Sequence, residues 1–209
     1  MNKTLAIAAW IACLACLPAY AAGPATNTAA MPFWIYHEYM GRENHGTPSG
    51  WMGDYRDIQL DMKCTNRPYS GTTCMRFAYS ALGSRYSNMA GVMWQNPANN
   101  GGDIDGGADL TGARQLVFWA RGETGRELLD AFSFGGTIGA YPDSDKVTLS
   151  NVRLSTEWTR YAIDLSNADL SYISCFFSWI ASRFNNRDGF VFYLDDIYLT
   201  DEEEEAISP

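Results

Sequence analysis

The stretch RQLVFWAR, residues 114–121, decides how the rest of the chain is read. It is short, aromatic and β-branched, as strands are. Along a strand successive side chains alternate faces, so Leu116, Phe118 and Ala120 share one side and Val117 and Trp119 the other. Both sides are apolar. That predicts a strand covered on each face, near the centre of a layered stack.

Outward from this stretch the same grammar repeats. Runs of similar character lie at 33–39, 57–63, 74–80, 91–95, 128–134, 147–154, 159–165, 173–180 and 189–200. Clusters of Gly, Asn, Asp and Pro separate them, and no segment holds a helical period for more than two turns. About ten short strands with turn signals between them predict an all-β fold, a two-sheet antiparallel β-sandwich or a barrel. The segment 96–112 is Gly-, Asn- and Asp-rich and carries no strand of its own, which marks a long loop of the kind that often holds function. There is no internal repeat, and the length fits one domain, expected over residues 32–200.

The N-terminus carries one cation, Lys3, then an apolar run from Leu5 to Leu17, a breaker at Pro18, and Ala19-Tyr20-Ala21. This is the layout of a secretory signal peptide, expected over residues 1–22, and it predicts a secreted or periplasmic protein. The run is shorter than the roughly 20 residues a membrane span needs. A lipoprotein reading at Cys13 or Cys16 lacks the Leu that should precede the lipid-bearing cysteine. Residues 23–31 are small and polar and read as a flexible leader. Residues 201–209 read as an acidic disordered tail, and Asp201 to Glu205 supply five of the charges behind the net −9. That balance argues against nucleic acid and anionic membrane surfaces as partners.

Beyond the signal, three cysteines remain. Cys64 and Cys74 bracket the turn-rich TNRPYSGTT, so in an oxidising compartment a local disulfide is the natural reading. It would stabilise by roughly 2 to 3 kcal/mol in the chain-entropy model. The alternative, metal ligation, finds no nearby His and no zinc spacing. Cys175 lies in an apolar run and reads as a buried free thiol, with an intermolecular bridge as the alternative.

The ending GFVFYLDDIYLT (189–200) resembles the last strand of galactose-binding-like jelly rolls, the fold used by many carbohydrate-binding modules. The segments NHGTPSGWMGDYRDIQLD (44–61), WQNPANN (94–100), DLTGARQLVFWARGETG (109–125) and EWTRYAIDLSNADLSYIS (157–174) are similar to an exported bacterial group of that fold. The resemblance implies an all-β jelly-roll sandwich, glycan binding, and a structural Ca²⁺ to which an Asp of the pair Asp195-Asp196 contributes. It also implies a carboxylate from the first strand, where Glu38 stands. Asp61 is a further candidate. A hard cation takes six to eight oxygen ligands in irregular geometry, but adjacent strand residues face opposite ways, so both Asp side chains reach one ion only through a bend. The competing reading is a strand end whose carboxylates accept backbone hydrogen bonds.

Sugars present flat C–H faces that stack on aromatic rings, and hydroxyls that amides, carboxylates and guanidinium groups can bond. Three groups have that composition: Trp94 with Gln95, Asn96, Asn99 and Asn100; Trp179 with Arg183, Asn185 and Asn186; and Trp51 in a Gly-bounded loop with Asp54 and Tyr55. For Trp94 and Trp179 a core position competes equally with a sugar platform. Trp119 and Trp158 read as core. His37 and His45 near Glu38 make a thin transition-metal site, and ordinary hydrogen-bonded imidazoles are the simpler reading. No hydrolase elbow, zincin helix or phosphate loop occurs. A lyase-type set of Tyr55, His45, Arg56 and Arg76 is conceivable, though no spacing demands it. The sequence therefore points to an exported glycan-binding sandwich whose partner is a polysaccharide. The alternatives are a small polysaccharide lyase or hydrolase, and a cell-surface structural protein that meets a partner protein.

Overall fold

The computed structural model describes residues 28–203. The expected signal peptide, most of the leader and most of the tail lie outside them. The elements are β1 (Phe33–Tyr36), β2 (Thr47–Gly53), a 3₁₀ turn (Tyr55–Asp57), β3 (Ile58–Cys64), β4 (Cys74–Tyr79), β5 (Met89–Gln95) and β6 (Gln115–Gly122). Then come β7 (Leu128–Gly135), β8 (Lys146–Arg153), β9 (Thr159–Asp164), β10 (Cys175–Ser182) and β11 (Phe190–Thr200). They form two antiparallel sheets. Sheet A runs β3-β4-β11-β6-β9, with β1 also pairing to β11; sheet B runs β2-β5-β10-β7-β8. The expected two-sheet antiparallel β-sandwich is the architecture found.

β2 is the strand the sequence concealed. Its residues TPSGWMG look like a loop because Pro48 cannot donate to a ladder and Gly50 weakens a strand interior. The structure puts β2 on the edge of sheet B, where only β5 pairs with it, and there a proline is tolerated. A register shift between Pro48 and Gly50 absorbs the irregularity.

The core lies between the sheets. From sheet A, Met75, Phe77, Leu116, Phe118, Phe192 and Leu194 point inward; from sheet B come Val92, Trp94, Phe132, Phe134, Phe177 and Trp179. Phe77 meets Trp179 edge-on at 5.3 Å and lies stacked on Phe192 at 5.2 Å, and Trp94 meets Phe177 edge-on at 5.1 Å. These are the arrangements that the ring quadrupoles favour.

The expectation that β6 is covered on both faces holds, with an unexpected cover. On its outer side, Tyr69 from the β3–β4 loop stacks on Trp119 at 3.7 Å, with 15° between the rings. Trp119 and Trp158, read from sequence as core, therefore lie half-buried on the outer face of sheet A. Strand alternation puts Trp119 opposite Phe118, and Phe118 takes the core. The described end of the leader packs too: Ala29 and Met31 rest against the core. No helix among the described residues is long and apolar enough to cross a membrane.

Phe77 touches both sheets' aromatic layers, so Phe77→Ala should cost about 3–5 kcal/mol. Urea unfolding of the two proteins gives the difference directly.

Candidate functional site

The period of two settles the tryptophans. Trp94 follows Ala90 and Val92 on the inward face of β5, and Trp179 sits with Phe177 on that of β10; both indoles are fully buried. As sugar platforms they are corrected: neither presents a ring face to a ligand. Their polar neighbours divide by role. Gln95 is buried, and buried Asn100 uses its side-chain oxygen to accept the Gly102 and Ile104 backbone N–H at 3.2 and 2.9 Å, shaping a turn. Only Asn96 and Asn99 of this group are exposed, and Asn99 is tied through its N–H to the Ser49 hydroxyl. Asn186 is also buried and pins the β10–β11 loop to Leu128 by hydrogen bonds in both directions. Trp51 remains partly exposed on edge strand β2.

The residues expected to act together do not. β5 and β10 are antiparallel, so the 94–100 group and the Arg183–Asn185 group stand at opposite ends of the pair. Seven strand residues separate those ends by roughly 20 Å. Tyr55, His45, Arg56 and Arg76 are dispersed as well. His45 donates to the Trp34 carbonyl, Tyr55 meets Arg85, and Arg76 sits mid-sheet between Asp61 and Tyr193.

The structure instead assembles a cleft at the Asn185 end of sheet A, with a volume of about 890 Å³. Its floor is a single row across three strands, because Gln59, Ala78 and Val191 are register partners on the outer face. One wall is the β6–β7 turn with Glu123, Thr124, Arg126 and Glu127; the other is the β10–β11 loop with Asn185, Arg187 and Asp188. Ala78 and Val191 leave a shallow apolar bed between polar walls. Among the described residues, the side chains of Gln59, Arg126, Arg187 and Asp188 have no protein hydrogen-bond partner and face no competing claim. Of the sequence candidates, Asn185 and Asn186 line this cleft, and Asn186 is the buried anchor of its wall. The others were missed because Gln59 and Arg187 meet only through sheet register and loop packing, 128 positions apart in the chain.

Glu127 makes the wall rigid. Buried, it accepts the Thr124 N–H and hydroxyl at 2.8 Å on one oxygen and the Arg126 N–H at 2.9 Å on the other. Burial by itself raises its pKa, but these hydrogen bonds outweigh that and hold the carboxyl below its ordinary range. Glu127 is thus a committed acceptor and no proton donor to a ligand.

The acidic pair sits elsewhere, where β1 meets β11. The bend the sequence required is present: Asp196 has φ +42°, and the β11–β6 register shifts between Asp195 and Tyr198. Asp195 accepts the Tyr69 and Ser70 N–H groups at 2.9 and 3.4 Å. Asp196 accepts from His37 Nδ1 at 2.8 Å and from the Ser70 hydroxyl at 3.1 Å. Glu38 accepts the Thr72 N–H at 2.8 Å and the Thr73 hydroxyl. Asp61 is not with them. It lies exposed on β3 opposite Arg76 and accepts the Lys63 N–H, so it is removed from the ligand set. Burial, together with the charge of Asp196, pushes the Asp195 carboxyl up to about 7. An all-oxygen set that includes two adjacent carboxyl groups suits a hard cation in its chemistry. As folded, however, no three His, Cys, Asp or Glu side chains among the described residues converge on a metal position.

Cys64 and Cys74 are free thiols, so the expected disulfide is not formed here; Cys175 is free and buried, as expected.

No family model and no curated protein matches this chain. Solved structures do. A family 30 carbohydrate-binding module is 18% identical with a TM-score of 0.58, covering 86% of this chain and 92% of that one. The family 30 module of the cellulosomal cellulase Cel9D-Cel44B of Clostridium thermocellum is 17% identical with a TM-score of 0.58, covering 84% and 100%. The family 11 module of Lic26A-Cel5E from the same organism is 13% identical with a TM-score of 0.55, covering 85% and 99%. The fold is the jelly roll of carbohydrate-binding modules.

Replacing Glu127 by Gln should cost about 1–2 kcal/mol near pH 7, where the carboxylate holds three donors. Because the folded pKa is depressed, that contribution is present in full above the ordinary value of 4.5 and is lost as pH falls through the lower folded value. Chemical unfolding of both proteins between pH 3 and pH 8 should show their stabilities converging at the acid end.

Proposed function

We propose that this chain is an exported glycan-binding protein that holds a polysaccharide segment in the cleft over Gln59, Ala78 and Val191. The observation that carries this reading is the set of uncommitted amide, guanidinium and carboxylate side chains around an apolar floor. Planar polar groups of this kind bond neighbouring sugar hydroxyls in pairs, while C–H faces rest on aliphatic side chains. The solved structures sharing the fold are described as carbohydrate-binding modules, which supports the same class of ligand. Export rests on the N-terminal pattern of residues 1–22.

The test is titration calorimetry across a panel of soluble polysaccharides, with Gln59→Ala, Arg187→Ala and Ala78→Trp beside the parent. The first two should weaken the best ligand roughly tenfold each, about 1.4 kcal/mol, and Ala78→Trp should abolish binding by filling the floor. Binding that survives Ala78→Trp unchanged would place the glycan elsewhere.

Structural Ca²⁺ at Glu38, Asp195 and Asp196 belongs to the same proposal, supported by the oxygen donor set and the raised Asp195 carboxyl. Such an ion would replace the loop N–H and hydroxyl donors that now satisfy these carboxylates. Excess Ca²⁺ over EDTA should then raise the unfolding midpoint of the parent and leave Asp195→Asn unmoved. Equal midpoints in the parent would remove calcium from the reading.

A second reading has one observation in its favour. Leu82, Tyr86 and Phe184, at 75, 93 and 73% exposure, project from the β4–β5 and β10–β11 loops, a suitable edge for a partner protein. Retention of the panel's glycans would disfavour it.

A further inference from the structure

The β3–β4 loop carries more of the structure than its turn-like sequence suggests. Through Tyr69, Ser70, Thr72 and Thr73 it supplies donors to all three carboxylates where β1 meets β11. Through Asn66 and Arg67 its carbonyls accept from the Arg121 guanidinium at 2.7 Å and from the Trp158 indole at 2.7 Å. At its base stand two cysteines. Cys64 and Cys74 are direct register partners on the antiparallel β3–β4 ladder, with a register shift just before them. Both point to the outer face, where they pack with Tyr193 and Trp158.

Residues directly opposite on such a ladder have Cα atoms about 4.5–5.5 Å apart, inside the range of about 4.4–6.8 Å that a disulfide spans. The two side chains pack in one cluster, and the Cys74 thiol donates to the Asn66 carbonyl at 4.0 Å. They differ in access: Cys64 is 7% exposed and Cys74 not at all. Burial, then the neighbouring Cys64 and Asp195, pushes the Cys74 thiol well up, which makes it the poorer first nucleophile.

We infer that Cys64 and Cys74 form a thiol–disulfide exchange site whose closure clamps the β3–β4 loop onto the outer face of sheet A. In the first step the Cys64 sulfur attacks one sulfur of a low-molecular-weight disulfide. A mixed disulfide forms, and one thiol leaves with the Cys64 proton. In the second step the Cys74 sulfur attacks the Cys64 sulfur, the protein disulfide forms, and the second thiol leaves with the Cys74 proton. Two protein thiols are oxidised and one external disulfide is reduced to two thiols. The bridge fixes both ends of the loop, so it steadies the Tyr69 and Ser70 N–H donors on Asp195 and the Tyr69 ring on Trp119. This holds whatever the cleft binds.

The test compares the full chain kept reduced with the same chain treated with oxidised glutathione. Peptide mass mapping should find a Cys64–Cys74 cross-link, and Cys175→Ser should leave it intact. Cys74→Ser should stop at a glutathione adduct on Cys64. In the oxidised parent, hydrogen exchange at the Tyr69 and Ser70 amides should slow on the order of tenfold or more. An adduct that persists on Cys64 in the parent, or a cross-link to Cys175, would overturn the assignment of the pair. A Cys64–Cys74 cross-link that leaves those amides exchanging as before would overturn the clamp.

Discussion

The contact of two aromatic layers holds this protein together. Phe77 and Phe192 from sheet A meet Trp94 and Trp179 from sheet B at ring separations of 5.1 to 5.8 Å. Strand alternation then leaves no freedom. Once Phe77, Phe192 and Phe118 face inward, Ala78, Val191, Tyr193 and Trp119 must face outward, and the outer surface of sheet A is fixed residue by residue. The cleft floor and the platform under the β3–β4 loop are both products of the core's register.

β11 transmits that register. It pairs with β1, β4 and β6, so it aligns the first strand, the cleft floor and the strand carrying Trp119 and Arg121. The bend at Asp196 occurs where the loop donors and His37 converge. Buried carboxylates need partners, and here backbone N–H groups, hydroxyls and an imidazole supply them. Arg121 shows the same rule for a cation: it is buried, yet lies 3.6 Å over the Tyr193 ring and donates to the Asn66 carbonyl.

Surface chemistry separates the two ends of the molecule. At one end, Asn100 spends its side-chain oxygen on the turn of the 96–104 loop, and Asn96 and Asn99 stand exposed. At the other, Asn186 anchors the β10–β11 loop, Asn185 donates to Asp130 at 2.6 Å and Glu127 holds the β6–β7 turn, which leaves Arg187, Asp188 and Arg126 turned toward the cleft. Rigid buried anchors presenting uncommitted polar groups are what a binding site needs, because the ordering cost is met in folding and not on association.

How much of this was legible beforehand follows from the range of each signal. Alternation and turn residues act over a few positions, so the all-β class, the interior place of RQLVFWAR and ten of the eleven strands could be read directly. β2 was hidden because Pro48 is acceptable only on an edge, and edges are defined by the neighbouring strands. Trp94 and Trp119 each sit in an apolar run, and composition cannot say which face the core will claim. The facing of Cys64 and Cys74 was readable as a hairpin pair, whereas the loop's grip on Glu38, Asp195 and Asp196 was not. By itself the sequence determined strands and which side chains share a face, because those depend on neighbours along the chain. Which faces meet, and hence that Gln59, Val191, Asn185 and Arg187 line one cleft, only the tertiary structure decided, because sheet order and register join residues that are distant along the chain.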